Sequence, residues 1–212
     1  MKVRIWDLPV RLFHWAIVLL VPALWATHHW EMMDTHILLG EIMLGLVVWR
    51  LLWGALGSST ARFASFVKGP GAVLRYVTGR GAKGFGHNPV GGWSVVAMLL
   101  LLVVQVGLGL FAIDEDALYC GPLSHLVSYD TARILAHRHE TVFWILIGLI
   151  ALHVLAIFYY LIVQRDDLVT PMITGKKAAA AGATALVPAP VWRFLLSAAL
   201  AAGLTILLAR FL

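Results

Sequence analysis

The residues best suited to chemistry in this chain are two histidines on one hydrophobic segment, His139 and His153. On an α-helix, their 14-residue spacing returns a side chain to within about 40° of its starting direction, roughly four turns further on. At about 1.5 Å per residue, the two imidazoles would lie about 21 Å apart along the axis. Imidazoles bind metals, and polar side chains inside a membrane span are costly and usually functional. The pair therefore predicts ligands for two stacked metal centres, one near each side of a bilayer.

The composition indicates that membrane helices must position these histidines. Of the 212 residues, 61% are hydrophobic and 13% are charged, whereas a soluble domain carries roughly 25% charged residues. The single Cys120 excludes an internal disulfide, and the chain has neither a CxxCH motif for covalent haem attachment nor a CxxC zinc pair. The net charge of +5 comes from basic residues that flank apolar runs. Membrane topology explains this charge better than nucleic-acid binding does.

Five apolar runs approach or exceed the roughly 20 residues that cross a bilayer. We expect spans at about 12–27, 37–56, 93–113, 141–163 and 194–209. They predict an all-α membrane protein: a four-helix transmembrane bundle in residues 1–165 and a fifth, C-terminal transmembrane helix in residues 166–212. The Ala-rich stretch 178–190 predicts a flexible tether, and the last helix, which has no histidine, is expected at the periphery. Tryptophans near the predicted ends, including Trp53, suit the membrane interface.

The charges between the spans indicate the topology. The N-terminal segment and the second and fourth connections are basic, whereas the first is acidic and the third is mixed. The second connection carries Arg62, Lys68, Arg75, Arg80 and Lys83. Because cytoplasmic loops are enriched in Lys and Arg, we expect a cytoplasmic N-terminus. Residues 63–77 mix aromatic and basic side chains and predict a short helix at the cytoplasmic interface.

With this topology, four histidines form two pairs at matched depth. His14 and His153 lie towards the cytoplasmic side of the first and fourth spans, and His36 and His139 open the second and fourth spans at the opposite side. Two imidazoles from different helices are what a six-coordinate haem iron needs on its axial faces. Zinc fits less well, because no pair has further Cys or carboxylate ligands at clear tetrahedral spacing. Packing or proton transfer by the histidines stays open.

His28 is an alternative ligand on the periplasmic side. It follows His14 by the same 14-residue spacing and would replace His36. Pro22 lies between them and can change the helical phase, and His28 falls at an aqueous edge. We therefore favour His36.

Three further histidines are expected in loops. His137 would lie about 160° away from His153 on a helix, so it faces elsewhere. His87 and His125 lie in loops that contain glycine and proline, which favours a solvated or loop-bracing role.

Several residues are candidates for supporting roles. Arg50 follows His36 by 14 residues and should reach the level of the cytoplasmic haem, where it contacts a haem propionate or simply snorkels at a helix end. Glu41 and Glu140 could relay protons or accept a ligand N–H, and each has a plain structural interpretation of at least equal weight. Some glycines could let helices bow around a macrocycle, although ordinary close packing is favoured: Gly40, Gly45, Gly107, Gly109 and Gly148.

The segments that carry these histidines form a recognisable set. They are IWDLPVRLFHW from Ile5, HILLGEIMLGLVVWRLLWG from His36, GHNPVGGW from Gly86 and HETVFWILIGLIALH from His139. Together they cover most of four spans, and the combination resembles the bacterial cytochrome b561 / nickel–iron hydrogenase cytochrome b family. The resemblance implies two b haems, bound by His14 with His153 and by His36 with His139. The fifth span departs from the shortest, four-helix members of that family.

The resemblance also implies a function. Two b haems in a bacterial inner membrane would transfer electrons between a quinone and a periplasmic cytochrome c or a subunit of a redox enzyme. One alternative is a superoxide:quinone oxidoreductase, in which Arg133 and Arg138 would steer the anion. A second is a haem-bearing membrane anchor of a hydrogenase-like complex. A third, a proton or metal-ion transporter with histidine relays, predicts no visible chromophore. Whether the chain is itself an enzyme stays open.

Overall fold

The computed structural model describes residues 2–80, 86–178 and 185–210. Lys83 of the basic connection and residues 179–184 of the predicted tether lie outside the described residues. In chain order the elements are β1 (Lys2–Arg4), α1 (Leu8–His29), α2 (Met33–Leu56), α3 (Phe63–Phe66), α4 (Pro70–Val77), α5 (Pro89–Phe111), a 3₁₀ turn (Ser124–Leu126), α6 (Tyr129–Ile162), α7 (Val169–Thr174), β2 (Lys176–Ala178) and α8 (Val191–Arg210). Helices α1, α2, α5, α6 and α8 are long and apolar enough to cross a membrane. The predicted all-α membrane fold is confirmed.

Helix α2 is the centre of the bundle. It packs against α1, α5 and α8, while α6 packs chiefly along α5. Side chains bridge from α6 to the other helices, because Leu146 joins one buried cluster with Val21 of α1 and Met43 of α2. The inner end is defined here as the end where α1 starts and α2 finishes, and the outer end is opposite. Helices α1, α2 and α6 can thus present side chains to one another along the whole bundle.

Asp7 ties the start of α1 to the end of α2 at the inner end. One carboxylate oxygen caps α1 by accepting from the Val10 N–H, at 2.9 Å. The other accepts from the Trp53 indole N–H, at 3.0 Å, and from the Ser58 hydroxyl. Trp53 is only 3% exposed. Trp53 therefore lies in the core, whereas its position near the end of a span predicted the membrane interface. The core can hold this indole because its N–H has a buried hydrogen-bond partner.

The segments that flank the bundle pair with each other at the inner end. Strand β1 runs antiparallel to β2, with Val3 opposite Lys177. The Leu186 N–H donates to the Arg4 carbonyl at 2.9 Å, and the Val187 N–H donates to the Ser59 hydroxyl at 2.9 Å. The described part of the expected flexible tether is therefore docked. Hydrogen bonds to segments that are remote in the chain hold this stretch in place, and its local composition does not predict them.

Helix α6 is longer than the span expected from its hydrophobicity. It begins at Tyr129, after an N-cap at Ser128, and its 34 residues exceed what a bilayer requires. His139 therefore lies well inside the helix and does not open it. His137, expected in a loop, also belongs to α6. The expected interfacial helix at residues 63–77 is divided into α3 and α4, and Pro70 starts the second piece.

Helix α8 packs closely on the side of α2. Ser197 is fully buried in the described structure, and Thr205 Oγ1 lies 3.2 Å from the position that a Cβ on Gly45 would take. Small residues permit this approach. Arg210 binds both carboxylate oxygens of Glu41, at 3.1 and 2.9 Å. Glu41 is therefore held by an ion pair, which supports its structural interpretation over a proton relay.

Candidate functional site

His36 of α2 and His139 of α6 meet at the outer end. Their ring centroids are 6.3 Å apart and their planes are inclined by 81°. The Nδ1–H of His36 donates to the Leu24 carbonyl at 2.9 Å, and that of His139 donates to the Gln105 carbonyl at 2.8 Å. A carbonyl can only accept, so these bonds place the proton on Nδ1. Each Nε2 then keeps its lone pair, as a metal-binding imidazole requires.

The separation of the His36 and His139 rings suits a metal whose remaining ligands belong to a cofactor. Two metal–nitrogen bonds of about 2 Å, plus the inner half of each ring, give a centroid separation of about 6 Å. Across the described residues, no group of three or more His, Cys, Asp or Glu is placed to hold an ion. Two imidazoles alone do not complete a tetrahedral zinc site, but they do complete haem iron, whose porphyrin supplies four nitrogens.

Helix α5 supports the His139 ring through Gln105 and Gly109. A Cβ on Gly109 would lie 3.0 Å from Cε1 of His139, so glycine gives the ring its room. The side-chain amide nitrogen of Gln105 lies 3.1 Å from His139 Nε2 and must rotate away for that nitrogen to bind iron. Gln105 is not among the site residues predicted from the sequence. A lone amide in an otherwise apolar stretch was the signal available for it.

His28 lies beside the outer pair, as the alternative assignment required. Its ring centroid is 5.9 Å from that of His36. However, His28 is exposed at the end of α1, and the described structure gives its ring no hydrogen bond to a backbone carbonyl. His36 is therefore the better oriented candidate of the two.

His14 of α1 and His153 of α6 both lie at the inner end, within the range of an electrostatic interaction between their rings. The Nδ1 atom of His14 is buried and has no hydrogen-bond partner among the described residues. A buried polar atom without a partner is uncommon in a native fold. A bound cofactor that the imidazole holds would account for it.

Arg50 and His87 complete the inner end. Arg50 is 3% exposed, its Nη2 donates to the Ala61 carbonyl at 3.4 Å, and its guanidinium lies 5.0 Å from the Phe63 ring centroid. This burial excludes snorkelling. His87 packs between Trp6 and Phe66, with both ring centroids 4.6 Å from its own.

The surroundings of His87 keep its ring neutral. Burial, followed by the positive charge of Arg50 and the nearby His153, lowers its pKa to about 4. Of the solvated and bracing roles expected for His87, the bracing role agrees with its packing between Trp6 and Phe66. His125 lies in the 3₁₀ turn and is exposed.

Membrane helices with imidazoles paired across them define a class, the transmembrane b-type cytochromes. A family model described as prokaryotic cytochrome b561 matches residues 5–175, a range that contains all four histidines. The chain belongs to the prokaryotic cytochrome b561 family, which binds haem b and transfers electrons in membranes. Neither the curated proteins nor the solved structures include a match to the chain.

We predict that Gly109→Val lowers the amount of bound haem. The added methyl groups would press on the His139 ring, and overpacking of this kind costs about 1–3 kcal/mol, so haem affinity should fall at least several-fold. The measurement is haem per chain in the purified protein. Gly107→Val is the matched control, because a Cβ there meets nothing within 4 Å. Equal haem loss in both variants would show that α5 tolerates no valine, and that Gly109 has no special role.

Proposed function

We propose that the protein holds two b haems and transfers electrons across the membrane between a quinone and a redox partner at the outer face. His14 and His153 would bind the inner haem, and His36 and His139 the outer one. The observation that carries this proposal is that α6 contributes one histidine to each pair. Since both lie in one continuous helix, the two sites are about 21 Å apart along its axis, one towards each face of the bilayer.

The chain's own residues would set how the haems work. A haem supplies a one-electron carrier, and two imidazoles on each iron leave no open position for oxygen. The bonds from Nδ1–H to the Leu24 and Gln105 carbonyls fix the outer rings and raise the basicity of their Nε2 atoms. Stronger donation from Nε2 favours the ferric state.

We infer that the inner end faces the cytoplasm of a bacterium. The connection between α2 and α5 lies at this end, and its described cations include Arg62, Lys68, Arg75 and Arg80. Helix α4 exposes Leu74 and Val77 beside them. Basic and apolar side chains together suit a helix at an anionic membrane surface. The outer end would then face the periplasm, where a cytochrome c or a redox-enzyme subunit can dock.

The outer surface favours an electron carrier over a superoxide-oxidising enzyme. Arg133, one of the two arginines expected to steer the anion, lies 3.4 Å from Glu115. Asp114, Asp116 and Asp130 lie in the same region of the chain. Their charge opposes the cationic field that would concentrate superoxide.

Replacement of the proposed ligands should remove the haems selectively. We expect about two haems per wild-type chain. His14→Ala or His153→Ala should lose the inner haem alone, and His36→Ala or His139→Ala the outer haem alone. Haem per chain and the reduced-minus-oxidised spectrum measure this. His28→Ala is the control and should keep both haems. If His28→Ala loses one haem while His36→Ala keeps two, the outer ligand assignment is wrong.

Electron transfer to an external acceptor should require both haems. In anaerobic mixtures with a short-chain quinol, wild-type protein should pass electrons to soluble cytochrome c. Each single-haem variant should do so at least tenfold more slowly, because one step of the path is missing. The reaction without protein gives the background rate. A two-haem protein that quinol does not reduce would contradict the quinone assignment.

A further inference from the structure

We propose that Arg50 and His87 bind a propionate carboxylate of the inner haem and thereby raise its reduction potential. This inference rests on the proposed function, because it requires a haem between His14 and His153. It goes further because it assigns two roles to Arg50 and to His87, a neutral histidine in a connecting segment. Both residues would bind the carboxylate and tune the reduction potential.

Arg50 is a buried cation with spare hydrogen-bond donors. Its Nη1 is enclosed and has no partner among the described residues, while Nη2 makes a long bond to the Ala61 carbonyl. A guanidinium removed from water is strongly destabilised unless it is paired with an anion. The 5.0 Å contact with the Phe63 ring offsets part of this cost. An acceptor for Nη1 is still required.

The carboxylate of Asp7 does not provide that acceptor. Asp7 interacts with Arg50 electrostatically, but both of its oxygens already accept hydrogen bonds, from the Val10 N–H, the Trp53 indole and the Ser58 hydroxyl. The described ion pairs do not include Arg50. The guanidinium is therefore available to an anion that comes from outside the chain.

His87 offers a second unpaired polar atom in the same region. Its Nδ1 is enclosed and lacks a partner among the described residues, and Trp6 and Phe66 fix its ring. The ring also lies within electrostatic range of both Arg50 and His153. A neutral imidazole can place its proton on Nδ1 and donate it to a carboxylate without adding net charge.

The depth of these groups suits the inner haem. Arg50 is six residues from the inner end of α2, and His14 is six residues from the inner end of α1. Both therefore lie about 9 Å along their helices from that end. The carboxylates of a haem bound by His14 and His153 are the anions expected at this level. A guanidinium binds a carboxylate with two parallel hydrogen bonds, which supplies what Arg50 lacks.

The pairing has a consequence for the potential. A propionate carries a negative charge that favours ferric over ferrous iron, and the Arg50 cation offsets that charge. Removal of the cation should therefore make the inner haem harder to reduce. The effect should be specific to the inner haem, because Arg50 lies far from the outer pair.

The test is potentiometric titration of the full-length protein, followed in the visible spectrum. Arg50→Gln should lower the inner-haem midpoint by about 59 mV, a tenfold change in the ferric-to-ferrous ratio, and leave the outer haem unchanged. Arg50→Lys should restore part of the shift. His87→Leu should lower the inner midpoint by a smaller amount. Titration in the His139→Ala background, which keeps the inner haem alone, assigns the signal. Arg62→Gln, which removes an exposed cation from the next connection, is the control and should shift neither haem.

The outcomes separate this inference from the proposed function. A protein without two haems overturns the function itself. A two-haem protein in which Arg50→Gln and His87→Leu leave the inner potential unchanged overturns only the propionate assignment. A raised KM for quinol with unchanged potentials would do the same, and would assign the two residues to the quinone. If the Arg50→Gln protein does not accumulate, the His87→Leu variant provides the test, because it leaves the buried charge of Arg50 in place.

Discussion

An imidazole inside a membrane bundle must find a partner for each of its ring nitrogens, and this requirement explains how the helices are arranged. At the outer end, backbone carbonyls of α1 and α5 accept the Nδ1 protons of His36 and His139. Once the Gln105 amide rotates away from His139, the two Nε2 atoms are left for a shared ligand. The carbonyls belong to helices other than those that carry the histidines, so each ring is oriented by the packing of two helices and the pair by the packing of four.

The two faces of α2 have different roles in this arrangement. One face presents His36 and Arg50 towards the other helices that carry histidines. Another accepts α8, through Gly45 and the ion pair of Glu41 with Arg210. The family model ends at residue 175, so α8 is an addition to the part of the chain that carries the site. It covers a surface of α2 without contributing a histidine.

The sequence predicts those features that depend on periodicity along one helix. The spacing of His139 and His153 places both on one face of α6. The alternation of basic and less basic connections predicts which connections share a side of the membrane. The sequence does not predict that β1 pairs with β2, or that Leu186 bonds to Arg4. Nor does it show that Trp6 and Phe66 enclose His87. These contacts join segments that are remote in the chain, and neither local composition nor helical period carries a signal for them.

We propose that imidazoles from neighbouring helices occupy both axial positions of each haem iron. Electron paramagnetic resonance of the oxidised, haem-replete protein tests this most directly. We expect low-spin ferric signals of imidazole-ligated haem that amount to about two irons per chain. A dominant high-spin signal, from iron with an open axial position, would contradict it.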